Sequence, residues 1–209
     1  MRNTKYLQKE HVMLNNKVPD VVFKTPVRDE SISGDNPFSW QERSSNSYFS
    51  DKRVVLFSLP GAFTPICSTF QLPDYDNNYE VFKGNGIDEI YCLSVNDSFV
   101  MNKWAEWLDI DNVKMIPDGS ANFTEALGAL VRKDNLGFGA RSWRYSLLAN
   151  DGVVEMAFVE SGCSDDCPTD PYEVSDPLTM LEYIQTESPV GQQYELELQD
   201  GAGTEETFA

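Results

Sequence analysis

Arg53-Val54-Val55-Leu56-Phe57-Ser58-Leu59-Pro60-Gly61-Ala62-Phe63-Thr64-Pro65-Ile66-Cys67-Ser68 is the stretch on which the fold turns. Its first seven residues form a continuous β-branched and apolar run, the pattern of a strand buried on both faces. Pro60-Gly61 stops the run. From Ser68 to Lys83, Leu72, Tyr75, Tyr79 and Phe82 recur at steps of three and four, as on one face of a helix. Pro73 lies inside that stretch and is expected to kink or break the helix there. A buried strand that turns straight into a helix is the start of a parallel α/β architecture, and here the turn carries a cysteine.

Upstream, residues 1–16 read as a loose polar arm and Val18–Lys24 as a short strand. Residues 28–50, rich in Ser, Asn, Asp and Gly, read as loop and turns. Downstream, Glu89–Val95 is a second buried strand. Asp97 can cap a helix bearing Val100, Met101, Trp104, Trp107 and Leu108 on one side. Val113–Ile116 is a third strand, ended by Pro117-Asp118-Gly119, and Phe123, Leu127 and Leu130 mark a short helix. Trp143–Ala149 and Val153–Val159 flank Asn150-Asp151-Gly152, a hairpin signal. Asp176-Pro177 opens a last helix with Leu178, Leu181 and Ile184. The order β-α-β-α-β, hairpin, helix predicts a thioredoxin-like fold, with a central mixed sheet flanked by helices. The expected division is an N-terminal arm (1–16), one domain (17–185) and an acidic C-terminal tail (186–209), with Tyr194–Leu198 as an edge strand.

The 209 residues carry 16 Lys+Arg against 34 Asp+Glu, a formal charge of −18. The excess is lopsided: no basic residue follows Arg144, while residues 145–209 hold 15 acidic ones. Such a surface repels nucleic-acid backbones and anionic membranes, so neither is an expected partner. With 41% hydrophobic and 12% aromatic residues the chain can bury a core. It has no apolar run of membrane-spanning length and no apolar segment near Met1 of the secretory kind, so a reducing cytoplasm is the expected compartment.

Scarce residue types narrow the chemistry. His11 is the single histidine; it lies in a polar stretch and reads as a surface residue, which leaves His-dependent triads and zinc sites without a base or ligand. No phosphate-binding glycine motif is present, and neither metal nor cofactor is expected. The four cysteines occupy three contexts. Cys92, inside an apolar strand, reads as buried packing. Cys163 and Cys167 flank Ser164-Asp165-Asp166 in an acidic loop, where nearby carboxylates disfavour thiolate. Cys67 sits at a helix start, where the macrodipole and unpaired N–H groups favour thiolate. Thr64, three residues earlier, can share a bound oxygen with it, and Pro60 and Pro65 stiffen the turn. The competing reading of Cys67 is an inert cysteine in a buried turn.

Five ordered segments carry a resemblance. Pro60–Ser68 matches a PGAFTPxCS motif. Cys92–Val100, Ile116–Gly119, Leu136–Gly139 and Arg141–Ser146 match further signatures of the same family. Over roughly residues 17–185 the chain resembles the peroxiredoxins of the redoxin superfamily. Within them it resembles the Prx5-type branch, above all the peroxiredoxin domain of bacterial peroxiredoxin–glutaredoxin hybrids. No C-terminal CPxC-type motif is present, so a glutaredoxin domain is not expected.

The resemblance implies a thiol peroxidase acting on hydrogen peroxide and small alkyl hydroperoxides. It implies that Cys67 becomes a sulfenic acid, Thr64 orients the peroxide, and the backbone N–H groups of Ile66 and Cys67 steady developing charge. Arg144 would hold the thiolate and polarise the O–O bond, in preference to Arg141, and Pro60 would shield the sulfur. It also implies a homodimer and a thiol reductant, glutathione/glutaredoxin or thioredoxin. The position four residues after the cysteine, usually His in the family, is Gln71, which hydrogen-bonds but does not titrate near neutrality. Cys163 and Cys167 keep three readings: one resolves the Cys67 sulfenic acid, they pair with each other, or they are solvated thiols. Outside the peroxidase class stand a general thiol–disulfide oxidoreductase, weakened by the lack of CxxC at the helix start, and a peroxide sensor that relays oxidation without turnover.

Overall fold

The computed structural model describes residues 16–35 and 37–187. Its centre is a five-stranded mixed sheet. The strands β3 (Arg53–Ser58), β4 (Glu89–Ser94) and β5 (Lys114–Pro117) run parallel; β8 (Tyr145–Asn150) pairs antiparallel with β3, and β9 (Val153–Val159) antiparallel with β8, in the order β5-β4-β3-β8-β9. All six residues of β3 are buried, as a central strand covered on both faces requires. Asp151 and Gly152 both have positive φ, 47° and 74°, which suits the tight hairpin turn between β8 and β9.

Strand alternation sorts the core into two layers. Val54 and Leu56 of β3, Tyr91 and Leu93 of β4, and Tyr145 and Leu147 of β8 face one side. Val55 and Phe57, Ile90 and Cys92, and Leu148 face the other. The second layer is covered by α2 (Leu72–Asn77), α3 (Tyr79–Gly84), α4 (Ser98–Trp107) and α6 (Pro177–Glu182). Tyr75 stacks on Phe57 there with ring centres 4.1 Å apart. The first layer is covered by α5 (Asn122–Ala126), which brings Phe123 onto Phe49 (6.3 Å, stacked), and by a short α1 (Asn46–Phe49). Asp97 caps α4, accepting from Phe99 and Val100, and Asp176 caps α6, accepting from Leu178 and Thr179.

Four expectations change. Residues 28–50 are not all loop: β1 (Val22–Arg28) pairs antiparallel with β2 (Phe38–Ser44), and Tyr48 and Phe49 of α1 are buried. The ribbon stands outside the main sheet, and β2, largely exposed, keeps polar side chains such as Ser39, Gln41 and Glu42, while β1 sends Phe23 into the core. The early strand is displaced accordingly. Val18 instead donates its N–H to Gly152 O, and Lys17 bridges Val153. Pro73 does not break its helix. A wide turn at Cys67–Gln71, where Leu72 N–H reaches Cys67 O, leads into α2, and Pro73 lies in the first turn, where its missing N–H costs little. The dislocation falls at Asn78, whose side chain donates to Asp74 O. Leu130, expected on a helix, starts β6 (Leu130–Arg132), paired with β7 (Ala140–Ser142). The last helix continues as a wide turn over Tyr183–Glu187. His11, the arm before Asn16 and the edge strand at 194–198 lie outside the described residues. Among the described residues no helix is long and apolar enough to cross a membrane.

Candidate active site

The site lies where β3 ends against the helical layer. Leaving the sheet, the chain turns at Pro60, which is buried, and is pinned by Asn96 at the end of β4: Asn96 Oδ1 accepts from Ala62 N–H (3.0 Å) and from Ser94 Oγ (2.8 Å). Phe63 takes a left-handed conformation (φ 62°), a strained state for an aromatic residue. Its ring packs against Trp104 and Trp107, and Trp104 Nε1 donates to Ser68 Oγ at 3.0 Å. The turn is thus held from both ends before it delivers Cys67 into the first turn of the helix.

Cys67 is fully buried in the helix-side core. Thr64 Oγ donates its single proton to Gly61 O at 2.8 Å, so toward a bound peroxide it can act only as an acceptor. Arg144 precedes β8, and alternation turns its side chain to the same layer as Cys67, while Trp143 turns to the other. Arg144 Nη1 stands 3.6 Å from Cys67 Sγ and donates to Gln71 Oε1 at 2.5 Å; Nη2 donates to Asp170 Oδ1 at 2.6 Å. The guanidinium is 1% exposed and also faces the Tyr172 ring. Burial alone would lower its pKa, but the neighbouring Cys67 sulfur and the Asp170 carboxylate outweigh burial and raise it. Two further donors, Arg144 Nε and Gln71 Nε2, are buried with no protein partner among the described residues. A thiol thus sits among a fixed cation, spare N–H donors and a hydroxyl acceptor, a set suited to an oxygen-bearing electrophile that becomes anionic as it reacts.

The structure brings Cys67, Arg144, Thr64 and Pro60 into one corner. Arg141 flanks the turn and not the sulfur: a Cβ placed on Gly61 would lie 3.5 Å from its Nε, while Nη1 donates to Ala140 O and Val95 O and the guanidinium lies over Phe138. Cys92 is buried beneath the site, and burial, with Cys67 nearby, pushes its thiol well above the ordinary range. Cys163 and Cys167 are on the opposite layer of the sheet from Cys67, and no disulfide joins any of the four cysteines. The acidic flank does not govern Cys167 as expected. A hydrogen bond with the Thr169 hydroxyl, 3.4 Å away, lowers its pKa against the opposing effect of burial. Asp170 and Gln71 were not legible as partners of Arg144. Among the described residues no cluster of three or more His, Cys, Asp or Glu side chains is arranged to hold a metal ion.

The chain is similar to known proteins over most of its length. The Redoxin family model matches residues 14–169. A peroxiredoxin of Rhizobium etli is 61% identical over 171 residues, covering 82% of this chain and 96% of that protein. The hybrid peroxiredoxin hyPrx5 of Haemophilus influenzae is 47% identical over 172 residues, covering 82% of this chain and 66% of that protein. Among solved structures, reduced Prx3 of Vibrio vulnificus in complex with H2O2 superposes with a TM-score of 0.70 at 32% identity, covering 82% of this chain and 98% of that one. With a thiol buried against an arginine in a thioredoxin-like frame and relatives of this similarity, the chain belongs to the Redoxin family, as a peroxiredoxin, a thiol-dependent peroxidase.

Proposed function

We propose that Cys67 is the peroxidatic residue and that hydrogen peroxide and small alkyl hydroperoxides are its substrates. The observation that carries this is the single guanidinium shared by the Cys67 sulfur, Gln71 and Asp170. The thiolate attacks one peroxide oxygen; the S–O bond forms as O–O breaks, and the departing oxygen takes a proton to leave as water or alcohol. Arg144, with its spare Nε donor, offsets the charge that grows on the oxygens. Thr64 accepts from the peroxide O–H, the backbone N–H groups of Ile66 and Cys67 face the developing charge, and Pro60 keeps bulk water from the sulfur. Gln71 orients Arg144 without titrating, so no proton relay runs through that position.

We read the recycling as attack by an external thiol, glutathione with glutaredoxin ahead of thioredoxin. The resemblance to the hybrid proteins supports this, as does the separation of Cys163 and Cys167 from Cys67 across the sheet. A homodimer is supported by exposed aromatics beside the site: Phe63, Phe70 and Trp107 are 50%, 52% and 62% exposed. Residues 17–185 are the catalytic unit in this reading, and the cytoplasm is its compartment.

Peroxide consumption by the full chain and by Cys67→Ser, with glutathione/glutaredoxin or thioredoxin supplied in turn, tests this. Turnover with glutathione that vanishes in Cys67→Ser supports the reading. Activity that survives Cys67→Ser removes Cys67 from its role, and turnover with thioredoxin alone replaces the reductant. Light scattering tests the dimer.

A further inference from the structure

Two thiols lie outside this chemistry. Cys167 is 8% exposed and packs in the layer of Val131 and Trp143; Cys163 is half-buried against the same cluster. The loop between them is tied to β6: Arg132 N–H donates to Asp165 Oδ1, Asp166 N–H to Arg132 O (both 2.8 Å), and Asn135 N–H to Asp166 Oδ1 (2.9 Å). Asp166 is left-handed (φ 50°), and the chain folds back there.

The fold-back lays the Cys167 sulfur along the segment that carries Cys163. A Cβ placed on Gly162 would lie 3.3 Å from Cys167 Sγ, and the Ser164 hydroxyl also interacts with that sulfur. The residues on either side of Cys163 therefore both reach the Cys167 sulfur. Thr169 supplies a hydroxyl at 3.4 Å, and the buried Lys133 ammonium, 3.2 Å from Cys167 O, supplies a nearby cation. These groups favour a thiolate at Cys167, while Cys163 presents the more open thiol.

We propose that Cys163 and Cys167 form a second redox site, a dithiol that hydroperoxide oxidises to a disulfide within the loop. Cys163, the more open sulfur, gives up its proton to water and takes the terminal oxygen of the peroxide. An S–O bond forms, O–O breaks, and the leaving oxygen is protonated to water or alcohol. Cys167 thiolate then attacks the Cys163 sulfur, S–S forms, and hydroxide leaves as water. One peroxide consumes two thiols, and an external thiol restores them. The bond requires the two Cα atoms within about 7 Å. The pair does not share a sulfur with Cys67, so it goes beyond the peroxidatic reading and does not rest on it.

The test uses full-length Cys67→Ser, fully reduced, treated with hydrogen peroxide, quenched, denatured and alkylated. No Lys or Arg follows Arg144, so trypsin leaves both loop cysteines on one peptide. The expected result is joint loss of the two alkylation sites, a peptide two hydrogens lighter, and recovery of both sites with dithiothreitol. Gly162→Ala, which crowds the Cys167 sulfur and strains the left-handed backbone at that position (φ 78°), is expected to slow that loss severalfold with circular dichroism unchanged. Three results would overturn the proposal: both cysteines alkylating fully after peroxide, Cys163 reaching sulfinic acid while Cys167 stays alkylatable, or wild-type protein linking either cysteine to Cys67. Peroxide turnover of the wild type, measured alongside, reports on Cys67 separately.

Discussion

Asp170 holds Arg144 from the side away from Cys67: its carboxylate lies 2.6 Å from Arg144 Nη2, while Nη1 faces the sulfur at 3.6 Å. A planar guanidinium gripped at one nitrogen has little freedom to rotate its other fork. Asp170 therefore fixes the direction in which Arg144 faces the Cys67 sulfur. Its own side chain is 35% exposed, so it connects the buried guanidinium to the surface.

Asp170→Asn keeps one hydrogen-bond acceptor and removes the charge; Asp170→Ala removes both. We expect the second-order rate with peroxide to fall about tenfold in Asn and about a hundredfold in Ala, the scale set by misplaced catalytic groups. Stopped-flow measurement under single turnover checks this. Equal losses in the two variants would mean that charge, not aim, is what Asp170 supplies.

The site was legible where it is local and obscure where it is assembled. Pro60, Thr64 and Cys67 lie within one turn, and the continuous burial of β3 made the strand-to-helix junction visible as an apolar run. Arg144 finds Gln71 across 73 residues and Asp170 across 26, and no periodicity encodes such pairs. The same division holds for the fold. β3 and β4 are covered on both faces, so composition reveals them. β2 is largely exposed, with Ser39, Gln41 and Glu42 among its residues, and reads as loop. The wide turn at Cys67–Gln71 has no sequence signal of its own; it shifts the register ahead of Pro73 so that the proline falls in the first turn of α2.

Thr64→Val and Thr64→Ser separate the hydroxyl from the shape. Thr64 Oγ already spends its proton on Gly61 O, so the valine loses both that bond and the acceptor offered to peroxide. We expect Val to lower the peroxide rate by about 10²-fold, the cost of removing one hydrogen-bonding group in such sites, and Ser to recover most of it. A valine variant with the wild-type rate would place the peroxide away from Thr64.

Asp118 gives a pH signature in stability. Its carboxylate is buried and accepts from Phe123 and Thr124 N–H at the start of α5. Burial raises its pKa above the ordinary carboxylate value, with the hydrogen bonds opposing that rise. A folded pKa above the unfolded one means that the folded state binds the proton more tightly. The contribution is therefore full below about pH 4, the unfolded value, and is lost as pH rises through the folded pKa. Asp118→Asn removes this dependence. Urea unfolding of both proteins across the acid range should show a stability difference that changes in that window and is flat above it. A constant difference at every pH would contradict the burial of the charge.

Glu160 organises the loop that delivers Asp170. It is 2% exposed, and Oε1 accepts from the N–H groups of Glu173, Val174 and Ser175, each at 2.9 Å, and from Ser175 Oγ at 2.7 Å. Its backbone is tied to the site as well: its N–H donates to Arg144 O, and its carbonyl accepts from Trp143 Nε1. Glu160→Ala leaves those three N–H groups unmet, the Ser175 N–H buried and the other two bonds part-buried, at roughly 1–3 kcal/mol for a buried group left unsatisfied. Water entering the space recovers part of that, so a total loss of about 3 kcal/mol is expected by chemical denaturation. Because Asp170 rides on the same loop, the peroxide rate should fall together with stability. In Glu160→Gln, whose amide oxygen can still accept, stability should recover first. A Glu160→Ala protein that loses stability but keeps the full peroxide rate would show that Asp170 holds Arg144 without support from the loop beneath it.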